Sequence, residues 1–469
     1  MANEVVAVII GNRDFFPDVL VAEARKDFFK LFAELGIETV MLTPEESKLG
    51  AVETWQDAKR CGELFKKHAD RISGIFVCLP NFGDEKAVAD AIRLSGLKVP
   101  ILVQASPDDL DQFSLDRRRD AFCGKISVCN NLRQYGIPYT LTHDHTVAVL
   151  SDAFRQDLLR FLEVCRVSQG LKRMRVGAVG ARPNAFNTTR YSEKLLENSG
   201  ISVNTVDLSE ILGRANGLAG DDSRVLRHVD KIKSYADSSA APDEALVKMA
   251  RLAIVLDEWM DELGLDATAV QCWNSLQKNF GVNVCTIMSM MSERMMPSAC
   301  EVDIAGVVSM YALQLASGRP SALVDWNNNY GSDPDKCVLF HCGNWAKEFL
   351  PNPRMGSAEI LGTTLGQENT VGALIGRTPS GPLTYARVST DDLTGTIRAF
   401  VGEGVFTDDP LKTIGAKAVV QIPNLRGLMQ HICKNGFEHH AAMSRSSCAG
   451  SVAEALGNYL GWDVYHHGA

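Results

Sequence analysis

The sequence contains no Cys-x-x-Cys pair, no run of Lys and Arg longer than Arg117-Arg118-Arg119, and no low-complexity tract or short-period repeat. Its twelve cysteines are scattered, with Cys337 and Cys342 the nearest two. In a chain of 469 residues this excludes a disulfide framework and predicts reduced, mostly buried thiols. A net charge of −9 without a basic cluster argues against nucleic acid, because phosphate binding needs concentrated positive charge. No window approaches the roughly 18–20 consecutive apolar residues of a spanning helix, so no membrane partner is expected. The opening segment Met1–Gly11 has neither a basic n-region nor a small-residue cleavage site, and the expected compartment is the cytoplasm. The three-glycine dinucleotide fingerprint is missing as well. Gly177-Ala-Val-Gly180 lies between a strand and a helix but lacks the spacing, and Asp207 is only loosely placed as a ribose acid.

What is present is a balanced globular composition, 45% apolar and 22% charged, long enough for two or three domains. The first 105 residues alternate short β-branched runs with amphipathic stretches. Val5–Ile10, Thr39–Leu42, Gly74–Leu79 and Pro100–Gln104 read as strands; Val19–Leu35, Trp55–His68 and Ala87–Ser95 read as helices. Such alternation implies parallel pairing through right-handed crossovers and an open sheet of flavodoxin type. A helix over Val147–Gln169 closes this N-terminal domain, 1–169. The rhythm restarts with a strand at Met174–Val179, a helix at Thr188–Asn198, a strand at Ser202–Asp207, a helix at Asp243–Leu263 and a buried strand at Ala267–Cys272. A second α/β domain over 170–322 follows. Beyond about residue 320 helices become scarce, and Ser357–Gln367, Leu383–Ser389 and Gly395–Val401 alternate like antiparallel strands. The expectation is two flavodoxin-like open parallel-sheet domains and then a β-rich C-terminal domain, 323–469.

Two carboxylates stand beside apolar runs in the motif region. Glu301 lies in Ser298-Ala-Cys-Glu-Val-Asp-Ile-Ala305, and Asp325 opens Asp325-Trp-Asn-Asn-Asn-Tyr330 after an apolar strand over Ser321–Val324. A buried carboxylate costs several kcal/mol unless a cation or donors compensate it. Phe340-His341 and Glu438-His439-His440 supply imidazoles, and together these residues suggest a divalent metal and an enzyme. Each has a plainer reading. Glu301 before the helical run Ala305–Leu315 would cap that helix. The three asparagines would be turn residues, and His341 a hydrogen-bonded core histidine at a strand end. Adjacent histidines on a strand face opposite ways, so one of His439 and His440 would enter a given site, with Glu438 orienting the ligand. The five methionines between Met288 and Met296 read as core packing.

These segments carry a resemblance. Ala299-Cys-Glu-Val-Asp303, Val324-Asp-Trp-Asn-Asn328, Leu339-Phe-His-Cys-Gly-Asn344 and Asn435-Gly-Phe-Glu-His-His440 resemble, in order and spacing, motifs of the L-fucose/L-arabinose isomerase superfamily. The chain is similar to a short, divergent branch of it, which sulfoquinovose isomerases also resemble. The resemblance implies two flavodoxin-like domains and a β-rich domain, and an aldose–ketose isomerase working through an enediol. It implies Mn²⁺, with Mg²⁺ or Co²⁺ as substitutes, held by Glu301, Asp325 and His440. Glu301 and Asp325 would also be the acid/base pair, and His341 a substrate contact or further ligand. Arg13, Gln271, Trp273, Asn344 and His439 are candidates for the sugar. The implied assembly is a homo-oligomer, a hexamer or smaller, in which a neighbouring N-terminal domain lines the site. The substrate would be a hexose, deoxyhexose or 6-substituted sugar. The rival readings are an NAD-dependent oxidoreductase on the same sheet and a non-catalytic sugar sensor.

Overall fold

A computed structural model describes residues 4–468. The chain divides into two compact units. One comprises residues 1–169 with 457–461, the other 170–456 with 462–469.

In the first unit five parallel strands form one sheet: β1 (Val5–Ile10), β2 (Glu38–Val40), β3 (Gly74–Leu79), β4 (Ile101–Ala105) and β5 (Thr140–Leu141). Their order, β2-β1-β3-β4-β5, is that of flavodoxin, as the alternation predicts. β1, β3 and β4 are buried on both faces because helices cover each side, and so they read as continuous apolar runs. Local signals set the helices between them. Thr54 and Asp57 form a reciprocal capping box at the start of Trp55–Lys67, and Asp84 caps Glu85–Ser95. Gly36 and Gly96 end their helices at positive φ, which glycine adopts without steric cost. The closing helix begins at Asp152 rather than Val147. Residues 147–151 are extended and turning instead, with the Val147 amide donating to Ala105 O. A helix over Ala121–Gln134 is additional to the sequence reading.

The second unit contains two sheets. β6 (Arg175–Val179), β7 (Ser202–Val206), β8 (Ala267–Val270) and β9 (Ser298–Cys300) pair in parallel in the order β7-β6-β8-β9. The larger sheet comprises β10 (Ser321–Asn329), β11 (Lys336–His341), β12 (Arg354–Ser357), β13 (Val371–Arg377), β14 (Gly381–Asp391), β15 (Thr396–Thr407), β16 (Ala416–Gln421), β17 (His440–Ser444) and β18 (Asp463–His466). Six of these, in the order β16-β11-β10-β17-β14-β15, are antiparallel neighbours, and β15 pairs back onto β16, so the sheet closes on itself. Closure removes the edges that a long antiparallel meander would otherwise expose.

One apolar core runs through this unit and joins Val179 and Cys300 of the parallel sheet to Leu339, Phe400 and Met443 of the other. Met288 and Met291 lie within it, as their spacing suggests.

Three elements differ from the sequence reading. Ser357–Gln367 contains a helix, Glu359–Leu365, in which the Thr363 and Thr364 hydroxyls bond back to the Ile360 and Leu361 carbonyls. Thr188–Asn198 shortens to Glu193–Asn198. The asparagines after Asp325 extend β10 to Asn329, with a bulge between Trp326 and Asn328, instead of turning.

Candidate active site

Glu301 follows the last residue of β9, at the carboxyl end of the parallel sheet, where open α/β sheets gather functional groups. Its backbone and that of Val302 both adopt positive φ, 55° and 57°. For a β-branched residue this conformation is costly, on the order of 1–3 kcal/mol, and persists only where the surroundings enforce it. The Val302 amide donating to Val270 O and the Asp303 amide donating to Cys300 O hold the turn. The helix Ile304–Ser317 then begins, capped not by Glu301 but by Asp303, whose Oδ1 accepts from the Gly306 amide at 2.8 Å. Glu301 is therefore free of the helix, and its side chain turns to the larger sheet.

There the strand register supplies its partners. Asp325 on β10 lies opposite His440 on β17 and Phe340 on β11, so His341 is one residue away. His440 Nε2 stands 3.3 Å from Asp325 Oδ1 and 3.7 Å from Glu301 Oε2. His341 Nε2 is 3.9 Å from the same Glu301 oxygen. Glu301 Oε1 accepts from Trp273 Nε1 at 2.8 Å and from the Cys272 thiol at 3.3 Å. Glu301 Oε2 is buried without any hydrogen-bond partner. Glu301, His341 and His440 offer one ligand atom each within 4.8 Å of one another, a buried group that could hold a metal ion.

The two histidines differ in what they can offer. His440 Nδ1 is 2.8 Å from Asp303 Oδ2. A carboxylate cannot donate, so Nδ1 carries a proton toward Asp303; Nε2 donates to Asp325 in the imidazolium and presents a lone pair once the ring is neutral. His341 Nδ1 instead accepts from the Cys342 backbone amide at 3.0 Å. The neutral ring then carries its proton on Nε2, as a donor toward the Glu301 side. His439 also reaches Asp325 Oδ1, at 3.4 Å, although its side chain is 42% exposed. Both adjacent histidines thus approach Asp325, because His439 precedes β17 and escapes strict alternation.

Behind His440 lies a buried charge network. Arg387 of β14, fully buried, donates to both Asp303 oxygens, at 2.5 and 3.0 Å, and through Nε to Glu438 Oε2 at 3.1 Å. Ser389 donates to the other Glu438 oxygen at 2.8 Å. Glu438 therefore anchors Arg387 and does not orient a histidine; Asp303 has that role. Burial alone would raise the Asp303 pKa, but the Arg387 and His440 charges outweigh it and hold Asp303 well below the carboxylate range. Burial also opposes the His440 imidazolium, yet its bonds to Asp303 and Asp325 lift it to about 9. For Glu301 burial dominates and raises the pKa, with the His341 and His440 charges offsetting part of it. Asp325 is lowered: burial is opposed by the bond to His440 and the three histidine charges. A field that strengthens proton binding at His440 favours a divalent cation at the same place.

The remaining candidates are placed as follows. Gln271 Oε1 accepts from the Ala181 amide at 3.0 Å, next to Gly180, so it braces the loop after β6. That contact also occupies the turn that a dinucleotide phosphate would need. Asn344 is buried with neither amide atom bonded. Arg13 belongs to the first unit, where it donates to Gly83 O, pairs with Glu85 and stacks over Phe82. Sequence reasoning omits Phe186, whose ring meets those of Trp273, His439 and His440 at 5.3–5.7 Å.

Residues 7–172 match the family model for the fucose/sulfoquinovose isomerase N-terminal domain, and residues 339–467 match that for the L-fucose isomerase C-terminal domain. The chain is 24% identical to a sulfoquinovose isomerase of Alkalicoccus urumqiensis over 80% of this chain and 81% of that one. It is 27% identical to a sulfoquinovose isomerase of Priestia megaterium over 51% and 53% of the two chains. Against a sulfoquinovose isomerase of Clostridium sp. (strain MSTE9) the identity is 23%, over 69% and 71%. The protein is an aldose–ketose isomerase, an intramolecular oxidoreductase acting on a sugar. It belongs to the fucose/sulfoquinovose isomerase family. The NAD-dependent oxidoreductase and non-catalytic sensor readings are thereby set aside. Among the described residues no helix is long and apolar enough to cross a membrane.

Proposed function

We propose that the protein is a metal-dependent isomerase of a hexose, deoxyhexose or 6-substituted sugar, with a C6 sulfonate favoured by the names of its relatives. The observation that carries metal dependence is the buried, unpartnered Glu301 Oε2 facing the His440 lone pair beside Asp325. Glu301, Asp325 and His440 would hold the ion. Two carboxylates with one imidazole suit Mn²⁺ or Mg²⁺ better than Zn²⁺, and Co²⁺ is a substitute. When bound, such an ion supplies Lewis-acid polarisation of the sugar carbonyl and the neighbouring hydroxyl.

The chain's own groups account for the proton transfers. A Glu301 carboxylate, its pKa raised by burial, takes the proton from C2, and the C2–H electron pair forms the C1=C2 bond of the enediol. The carbonyl π pair moves onto O1, which receives the proton that the Asp325 carboxylate takes from O2. Return of the carbon-bound proton to C1 and loss of the O2 proton to Asp325 give the ketose, with no net change in protons or electrons. His341 Nε2–H donates to a sugar oxygen, and Asn344, whose amide atoms have no protein partner, binds hydroxyls. His439 and Trp273 flank the substrate, while Gln271 contributes through the loop it braces. In the cytoplasm the protein would act as a homo-oligomer, a hexamer or smaller, in which Arg13 of a neighbouring copy meets an anionic C6 group. The division of the second unit at residue 322, between the Glu301 part and the Asp325–His440 part, belongs to the same reading.

The direct test is proton NMR in D₂O across fucose, arabinose and 6-sulfonated glucose, with Mn²⁺ and again with EDTA. Deuterium should enter C1 or C2 as ketose forms, and chelation should abolish it. Exchange that persists undiminished after exhaustive chelation removes the metal. The tautomer argument predicts a split between the two histidines. His440→Gln should lower Mn²⁺ affinity about 10–100-fold, whereas His341→Gln should retain the ion and lose turnover. Equal metal loss in both variants would make His341 a ligand.

A further inference from the structure

Beside the isomerase site the fold convenes four thiols from four separate segments. Cys272 follows β8, Cys285 opens the helix Cys285–Glu293, Cys300 ends β9 and Cys342 follows β11. The sulfurs of Cys285, Cys300 and Cys342 all lie within 4.8 Å of one another, and the Cys285–Cys342 separation is 3.5 Å. Cys272 Sγ lies within 4.8 Å of Cys300 Sγ and of a Glu301 oxygen, and as a thiol it donates to Glu301 Oε1 at 3.3 Å, a bond it would exchange for the ion. The Met288 thioether adds a further soft atom, 4.0 Å from Cys300 Sγ. Cys272, Cys285 and Cys300 are buried and Cys342 is partly so.

Small apolar packing is the ordinary role of a buried cysteine, but it does not require sulfur to face sulfur. All four are free thiols, and no disulfide joins any pair of them. Four thiolates around a tetrahedral Zn²⁺ at about 2.3 Å are separated from one another by about 3.8 Å; Cys285, Cys300 and Cys342, mutually within 4.8 Å, already approach that spacing, and Cys272 reaches it at Cys300. The donor set is all sulfur, whereas the neighbouring isomerase site is carboxylate and imidazole. Soft and hard cations would sort between them on that difference.

We propose that Cys285, Cys300 and Cys342, completed by Cys272, form a second metal site, specific for a thiophilic ion of the Zn²⁺ class. The site ties together the ends of β8, β9 and β11 and the head of one helix. Those same chain ends present Trp273, Glu301 and His341, so an ion there fixes the base of the isomerase site without touching substrate. Binding releases the thiol protons and occurs as the unit folds, because the sulfurs come from segments distant in sequence.

The test uses the full chain, expressed with zinc in the medium, purified without chelator and desalted. Elemental analysis should find about one zinc per chain, and X-ray absorption at the zinc edge should show a sulfur shell near 2.3 Å. Glu301→Gln and the buried control Cys337→Ser should keep the zinc; Cys300→Ser should lose it. Absence of zinc from the wild type overturns the proposal. So does a first shell of oxygen and nitrogen at the zinc edge, or zinc that departs with Glu301→Gln, since either places the ion in the isomerase site. The absorption measurement needs no variant, so a Cys300→Ser chain that fails to fold leaves the decision intact.

Discussion

Glu301→Gln is expected to abolish turnover while leaving the fold as stable as the wild type or more so. The glutamine keeps the volume, and its carbonyl oxygen can still accept from Trp273 Nε1, the 2.8 Å bond that fixes the side chain. At Oε2, however, it replaces an unpartnered oxygen with an amide that neither binds a cation nor takes a proton. Loss of general-base function costs about 10²–10⁴-fold in rate, and loss of the ion adds to that. The stability argument runs the other way. A buried carboxylate without full compensation is a liability, so neutralising it relieves a desolvation cost. The measurement is kcat with Mn²⁺ in excess, beside a denaturation midpoint. If the variant kept a tenth of wild-type kcat, Glu301 could not be the base. A large fall in the midpoint would instead mean that the carboxylate holds the fold together.

The first unit was legible because its signals are local. Strand and helix periods, a capping box and terminal glycines coincide there, and β1, β3 and β4 appear where the β-branched runs stand. The barrel closure was not legible, since pairing of β15 with β16 depends on contacts that no short window reports. At the site, the proposed ligands Glu301, Asp325 and His440 were suggested by a resemblance; their residues alone left capping, turn and core readings open. Asp303 lay inside a quoted motif yet looked like background, because its importance comes from Arg387, far along the chain. Arg387 gives no sign in sequence. β14 is buried on both faces over residues 383–389, so the alternation that marks an inward charge is missing. The thiols Cys272, Cys285, Cys300 and Cys342 share no motif spacing and meet only in the folded unit.

Arg387→Met is expected to cost about 3–5 kcal/mol of stability, the usual consequence of removing one partner from a buried ion network. The guanidinium is wholly buried and makes two bonds to Asp303 and one to Glu438. Methionine fills much of the volume but leaves two carboxylates without their cation. Arg387→Lys should recover only part of the loss, because an ammonium cannot span both acids as the planar fork does. Arg387→Met/Glu438→Gln should recover more, since it removes one of the stranded charges. A purely structural role would end there. If Arg387 also positions the site, its loss must pass through Asp303 to the His440 ring, whose Nδ1 bond to Asp303 keeps the Nε2 lone pair turned to Asp325. Mn²⁺ affinity, measured far below the melting temperature, should then fall about 10–100-fold, while His440→Gln made in the same background adds little further loss. Stability within 1 kcal/mol of wild type, against the expected 3–5, would show that water or rearrangement satisfies Asp303. Unchanged Mn²⁺ affinity in a folded but weakened Arg387→Met chain would separate the network from the site and leave it as scaffold alone.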